Sequence, residues 1–197
     1  MRAVGLLPRA AMVMTLATMP GVVGVQGAGA AGRAASAASQ PAPTHCVLAV
    51  TASGKAAEPA CHGSFRAAIA RATGGAVTDA PAAAAAATDP AFAAKVEPTT
   101  AASSYVLGIE YADANYGGST LTISAPGICD SSADVDWQFP TMPTGWNDQI
   151  SSFRSFNRCE QQLYRDIYYD GALTPVLANM SWVGAAANDK ASSVRFF

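Results

Sequence analysis

Charge is scarce in this chain of 197 residues. Asp, Glu, Lys and Arg make up 13% of it, with 12 basic against 14 acidic side chains and a formal charge of -2. No basic stripe exists to hold a run of phosphates, which argues against nucleic acid as a partner. Histidine is rarer still, limited to His45 and His62. The region from Tyr105 onward has none, so no Ser-His-Asp or Cys-His pair can be assembled there. Paired carboxylates remain a formal route to glycoside chemistry. A module this small offers little room for a deep cleft, however, and the expectation is a protein that is not an enzyme. After Ala30 no apolar run is long enough to cross a bilayer, so no membrane association is expected.

The apolar fraction of 50% overstates the core, because much of it is alanine concentrated before Ser103. Residues 1–30 read as an export signal. Arg2 and Arg9 supply positive charge, Ala10 to Val25 is mostly apolar, and Ala28-Gly29-Ala30 is a small-residue cleavage site, with cleavage expected after Ala30 and with Ala28 or Ala31 as neighbouring alternatives. A secreted protein meets oxidising conditions, so Cys46, Cys61, Cys129 and Cys159 are read as disulfide partners rather than zinc or redox ligands. Pairing within the N-terminal and C-terminal parts is the simplest of the possible connectivities. Loops of this length contribute on the order of 3 kcal/mol each by restricting the unfolded chain.

Composition divides the remainder. Residues 31–45 form a small-residue leader expected to be disordered. Residues 46–75 read as a small disulfide-linked β-α unit: a strand at Cys46 to Thr51, a turn at Ser53-Gly54-Lys55, then a helix capped by Ser64 and ended by Gly74. Phe65, Ala68, Ile69 and Ala72 share one face of that helix. Residues 76–104, rich in alanine and bounded by Pro81, Pro90 and Pro98, read as a low-complexity linker with at most one helical stretch. From 105 to 197 aromatics, β-branched residues, Gly and Asp take over, and short strands between frequent turns predict a mainly β sandwich.

Within that β region one pattern occurs twice. Tyr111, Tyr116 and Gly118 fall in a Tyr-x-x-x-x-Tyr-x-Gly segment, and so do Tyr164, Tyr169 and Gly171. Each segment precedes a hexapeptide, Asn147-Asp148-Gln149-Ile150-Ser151-Ser152 or Asn188-Asp189-Lys190-Ala191-Ser192-Ser193. A repeat at this period signals one supersecondary unit used twice. The repeated side chains carry oxygen, and oxygen donors suit calcium.

These residues resemble the microbial, calcium-binding βγ-crystallin family. There, each Greek-key motif opens with an aromatic-x-x-x-x-aromatic-x-Gly hairpin and carries an Asn/Asp-Asn/Asp-x-x-Ser/Thr-Ser loop. The resemblance covers Tyr105 to Phe197, roughly half the chain, and implies a βγ-crystallin-like Greek-key sandwich with two Ca2+ sites made by exchange between the motifs. One site would take Asp148, the carbonyl of Gln149 and the hydroxyl of Ser192. The other would take Asp189, the carbonyl of Lys190 and the hydroxyl of Ser151. A further carbonyl for each would come from the hairpins near Asp113 and Asp166. Asn147 and Asn188 would brace the loops by hydrogen bonds, and Ser152 and Ser193 by packing against the adjoining strand. So few formal charges suit micromolar-to-millimolar affinity, and Lys190 would weaken its own site. The competing reading is a pair of Asx- and Ser-rich turns that close Greek keys without metal.

Secreted metalloproteinase inhibitors and killer-toxin-like proteins are similar in fold, which makes an extracellular protease an alternative partner. Phe139 to Gly145, inside the Cys129 to Cys159 stretch, would be the inhibitory loop. A third possibility is that the N-terminal unit is a propeptide or docking module. Other candidates are weaker. Asp130, Asp134 and Asp136 lack the EF-hand glycine and terminal glutamate and read as a solvated turn. His45-Cys46 and Cys61-His62 would form a zinc site only if the cysteines were reduced. Asn179-Met180-Ser181 is a glycosylation sequon that matters only in a eukaryotic host. Trp137, Trp146 and Trp182 are expected to be core or semi-buried, with sugar stacking a minor alternative.

Overall fold

A computed structural model describes residues 42–51, 55–98 and 100–197. The expected export signal, most of the leader and most of the turn at residues 53–55 lie outside the described residues.

The first strand, β1 (His45–Ala49), pairs antiparallel with β2 (Ala60–His62), and Cys46 sits opposite Cys61 in register, joined to it by a disulfide. Helix α1 (Phe65–Ala72) follows; the Ser64 hydroxyl accepts from the Ala67 amide at 3.3 Å, and Phe65, Ala68, Ile69 and Ala72 are its buried residues. Two shorter helices come next, α2 (Ala83–Ala86) and α3 (Pro90–Val96). The long hairpin of β3 (Tyr105–Asp113) and β4 (Gly117–Ala125) opens the repeated region. It continues through β5 (Trp137–Phe139), β6 (Ser152–Ser155), β7 (Gln161–Tyr164), β8 (Asn179–Met180) and β9 (Ser193–Phe196).

These strands make two sheets. One has six strands in the order β2-β1-β4-β3-β6-β8, and the other has three in the order β5-β9-β7. The order shows the exchange between halves. Strand β5 belongs to the first repeat but pairs with β9 of the second, while β8 belongs to the second and pairs with β6 of the first. This is the mainly β, Greek-key sandwich that the sequence predicts.

Between the sheets lies one core, including Leu107, Leu121, Ile123, Trp146, Ile150, Phe153, Leu163, Val194 and Phe196. A register shift between Val106 and Gly108 breaks the two-residue alternation of β3 and turns Gly108 toward the second sheet. A Cβ at Gly108 would lie 2.8 Å from Gln161 Oε1 and 2.9 Å from the Phe196 ring, so only glycine fits. Ile109 and Tyr111 face the other way.

On that outer face sits a second core, and here the expected domain boundaries need correction. The described residues fall in one compact unit, not a β-α unit joined to a sandwich by a linker. Strand β1 runs parallel to β4 as part of the main sheet. Residues 77–96 of the expected linker are packed structure: Val77, Ala80, Ala86, Ala87, Phe92 and Val96 are buried with Phe65, Ile69, Val106, Ile109, Tyr111 and Phe156. Pro90 begins a helix instead of breaking one, because it occupies the first turn behind Asp89, whose carboxylate accepts from the Ala91 amide at 2.8 Å. Alanine, with little bulk, lets α2 approach the sheet closely. The result is three layers: helices, six strands and three strands.

Candidate metal centre

Each repeat begins with a folded hairpin whose turn needs left-handed backbone. Asn115 and Tyr116 have φ of 56° and 63°, and Tyr168 and Tyr169 have 58° and 68°. Edge-to-face rings secure both turns, Tyr111 on Tyr116 at 5.4 Å and Tyr164 on Tyr169 at 5.9 Å. Gly118 has φ 73°, and a Cβ there would lie 2.7 Å from Asp113 Oδ2. The Asp113 carboxylate therefore folds back onto its own hairpin. The Asp166 carboxylate lies similarly near Gly171.

The hexapeptides dock against these hairpins through paired bonds. Ser151 N donates to Tyr111 O at 2.9 Å, and Ser192 N donates to Tyr164 O at 2.8 Å. The Ser152 hydroxyl donates to Asp113 O at 2.7 Å and accepts from Tyr116 N at 3.0 Å; Ser193 does the same with Asp166 O at 2.6 Å and Tyr169 N at 3.1 Å. Ser152 and Ser193 thus hold the hairpins by hydrogen bonds and not by packing alone.

The loops also grip each other. Asp148 N donates to Ala191 O at 3.0 Å, and Asp189 N donates to Ile150 O at 3.2 Å. Both aspartates are left-handed, with φ of 56° and 53°, a conformation that Asn and Asp tolerate better than most residues. Asn147 Nδ2 donates to Asp148 Oδ2 at 2.8 Å, and Asn188 Nδ2 to Asp189 Oδ2 at 2.7 Å. Each asparagine occupies one carboxylate oxygen and fixes the orientation of the other.

At one clamp the donor set converges. The Ser151 hydroxyl lies 2.7 Å from Ala112 O and 3.2 Å from Asp189 Oδ1, joining both repeats. It has one proton for two acceptors, so one oxygen pair faces without a hydrogen between, an arrangement a cation relieves. The hairpin carbonyl here is that of Ala112; the Asp113 carbonyl is taken by Ser152. At the other clamp, among the described residues, the Ser192 hydroxyl makes no hydrogen bond, and Asp148 Oδ2 is met by Asn147 alone. The Gln149 and Lys190 carbonyls accept no hydrogen bond from described residues and keep their lone pairs. No group of three His, Cys, Asp or Glu side chains converges among the described residues. Any cation here must therefore rely on carbonyls and hydroxyls, a donor set that fits calcium and not zinc.

Sequence reasoning missed Glu110. It is fully buried between Leu121 and Phe153 of the neighbouring strands. Its Oε2 accepts from Gln161 Nε2 at 3.0 Å, while Oε1 has no partner among the described residues. Burial pushes its pKa up to about 8, opposed by the Gln161 hydrogen bond. The only sequence signal was a carboxylate amid the apolar residues of β3. Arg195, whose buried Nε has no partner among the described residues, stacks on Tyr169 at 4.1 Å and lies 5.6 Å from the Tyr164 ring.

The remaining candidates resolve simply. Asp130 Oδ1 accepts from Ser132 N at 2.7 Å, and Asp136 Oδ2 from Asp130 N at 3.1 Å, so the acidic stretch is a self-bonded turn. Hydrogen bonds from Ser132 and the charge of Arg158 hold the Asp130 carboxyl below its usual range. His45 and His62 face each other across β1 and β2, but the intervening cysteines are a disulfide and offer no thiolate. Cys129 and Cys159 form the other disulfide. Trp146 is buried and Trp137 partly so, whereas Trp182 is 52% exposed, more than expected. Segment 139–145 is pinned: Phe139 and Met142 are buried, Met142 N donates to Ser192 O at 2.8 Å, and Pro140 O accepts from Tyr168 N at 2.9 Å.

No protein-family model matches the chain, and no curated protein matches it in sequence. Among solved structures, a βγ-crystallin domain from Clostridium beijerinckii is similar at 23% identity over 46% of this chain and 97% of its own, with a TM-score of 0.36. One from Flavobacterium johnsoniae is similar at 26% identity over 46% and 93%, with a TM-score of 0.35. The N-terminal domain of Protein S is similar at 17% identity over 46% and 94%, with a TM-score of 0.35. The similarity to bacterial βγ-crystallin domains is one of fold, over slightly less than half of the chain.

Proposed function

We propose that this is an exported calcium-binding protein of βγ-crystallin type, with two sites formed by exchange between its hexapeptide loops. The observation that supports this most directly is the Ser151 hydroxyl lodged between the Ala112 carbonyl and the Asp189 carboxylate. Asp189 comes from the second repeat and Ser151 from the first, so an ion there would cross-link the halves. That site would draw on Asp189, the Lys190 carbonyl, Ser151 and the Ala112 carbonyl; its counterpart would draw on Asp148, the Gln149 carbonyl and Ser192. Calcium, when bound, would supply electrostatic attraction between oxygens that otherwise repel. With one carboxylate per site the affinity belongs in the micromolar-to-millimolar range. At calcium about a hundredfold above Kd, linkage adds about 2.7 kcal/mol to stability.

Calorimetric titration of the secreted chain with calcium tests this. Two sites are expected, with Asp189→Ala and Ser151→Ala abolishing the same one and Asp148→Ala the other. Absence of calcium heat, together with a melting temperature unmoved by chelator, would sink the proposal. Mass measurement of protein from culture medium tests export, with a start at Ala31 expected.

A further inference from the structure

The two repeats match in their hairpins, tyrosine pairs and serine bonds, yet among the described residues only one has a helical layer over it. Tyr111 is buried in the core formed with α1, α2 and α3; its hydroxyl reaches Ala83 O at 3.5 Å, and Tyr116 packs against the same core. Phe92 of α3 is the centre of an aromatic chain, 6.0 Å from Phe65 and 5.8 Å from Phe156. The backbone of this tyrosine leads straight into the clamp. Tyr111 O accepts the Ser151 amide, and the next carbonyl, of Ala112, accepts the Ser151 hydroxyl. The counterpart Tyr164 belongs to neither apolar core and is covered by Arg195 and Tyr169. The difference in cover coincides with a difference at the clamps. The Ser151 hydroxyl lies within hydrogen-bond distance of both Ala112 O and Asp189 Oδ1, whereas the Ser192 hydroxyl has no hydrogen bond among the described residues.

We propose that the helical layer holds the Ser151–Ala112–Asp189 clamp closed before any ion arrives, while the Asp148–Ser192 clamp stays open. The two sites are then unequal by construction. A preformed clamp costs less conformational entropy to fill. Tyr111 acts as the positioning residue, transmitting the packing of α2 and α3 to the carbonyl that faces the ion. The consequence for binding rests on the calcium reading above; the closure of the clamp does not.

Amide hydrogen exchange on the metal-free protein separates the two claims. The Ser151 and Ser192 amides make bonds of nearly equal length, 2.9 and 2.8 Å, so bond length alone gives no reason for them to differ. The brace predicts that Ser151 exchanges slower than Ser192 by about tenfold or more. Ala86→Gly, which loosens α2 with little loss of core volume, should speed Ser151 selectively. Phe92→Ala should do so more strongly if the variant folds. Equal exchange in the parent protein, or equal acceleration of both amides by Ala86→Gly, overturns the proposal. In calcium titration the parent should show two unequal sites, and Ala86→Gly should weaken only the site containing Asp189, by about fivefold. Two equal sites also overturn it. If the parent takes up no calcium, the functional reading falls and the exchange comparison alone decides the brace.

Discussion

Replacing Glu110 by glutamine should remove most of the alkaline sensitivity of this fold. The unfolded chain releases the Glu110 proton near the ordinary value of 4.5, whereas the folded protein holds it to about 8. Between those values the unfolded state binds fewer protons than the folded one, so stability falls as pH rises. The penalty is absent below about 4.5 and complete above about 8. At ~1.36 kcal/mol per pKa unit, the rise from 4.5 to about 8 sets an upper bound of about 5 kcal/mol. Glutamine keeps the shape and can still accept from Gln161; its amide leaves two N–H donors without a partner where the protonated carboxyl leaves one O–H, an added cost that does not change with pH and so leaves the slope intact. Urea unfolding of both proteins at pH 5, 6, 7 and 8, with disulfides intact, reads the difference. The variant should gain on the parent steadily with pH and exceed it by several kcal/mol at pH 8. Burial lowers the pKa of His45, which gives stability lost as pH falls, but this contribution is common to both proteins and cancels. A difference that stays flat from pH 5 to 8 would refute the burial argument.

Gly118→Ala should cost about 1–3 kcal/mol in urea melts, since it adds a Cβ to a left-handed residue within 2.7 Å of the Asp113 carboxylate. Replacing both Cys129 and Cys159 by alanine frees a loop with a sequence separation of 30 and should cost about 3–4 kcal/mol, read as a lowered Tm. Phe92→Ala should destabilise by about 3–5 kcal/mol, and far-UV and near-UV circular dichroism should still unfold together. Separate transitions would show that the helices are an independent domain.

The repeated half was legible because its signals are local. The Tyr-x-x-x-x-Tyr-x-Gly segments specify left-handed turns, and the Asn-Asp pairs specify left-handed loops; the structure has both. The helix from Phe65 to Ala72 was equally readable from its cap and its apolar face. The segment before Tyr105 was misjudged because a run of alanines has no contrasting polar face to reveal which side is buried. Pro90 looked like a boundary because first-turn prolines and helix-breaking prolines are the same letter. The parallel pairing of β1 with β4 spans 75 positions between His45 and Thr120, and no local pattern encodes it. Glu110 was hidden by a bulge at Leu107–Gly108, which shifts the faces of β3 by one residue.

The lending of β5 and β8 between sheets also governs when this protein can fold. Trp137 to Phe139 have their neighbour in Val194 to Phe196, and Phe153 and Arg154 have theirs in Asn179 and Met180. A chain growing from the ribosome therefore cannot complete the six-stranded sheet until β8 has been made, nor the three-stranded sheet until β9 has. Such long-range contacts place it among the slower folders, on a millisecond-to-second scale. In that interval the first hairpin, with Leu121 and Ile123 on one face, is present without the sheet that covers it. Each half lacks a strand that the other supplies, so a break anywhere between β5 and β9 should leave two fragments that complete their sheets only together.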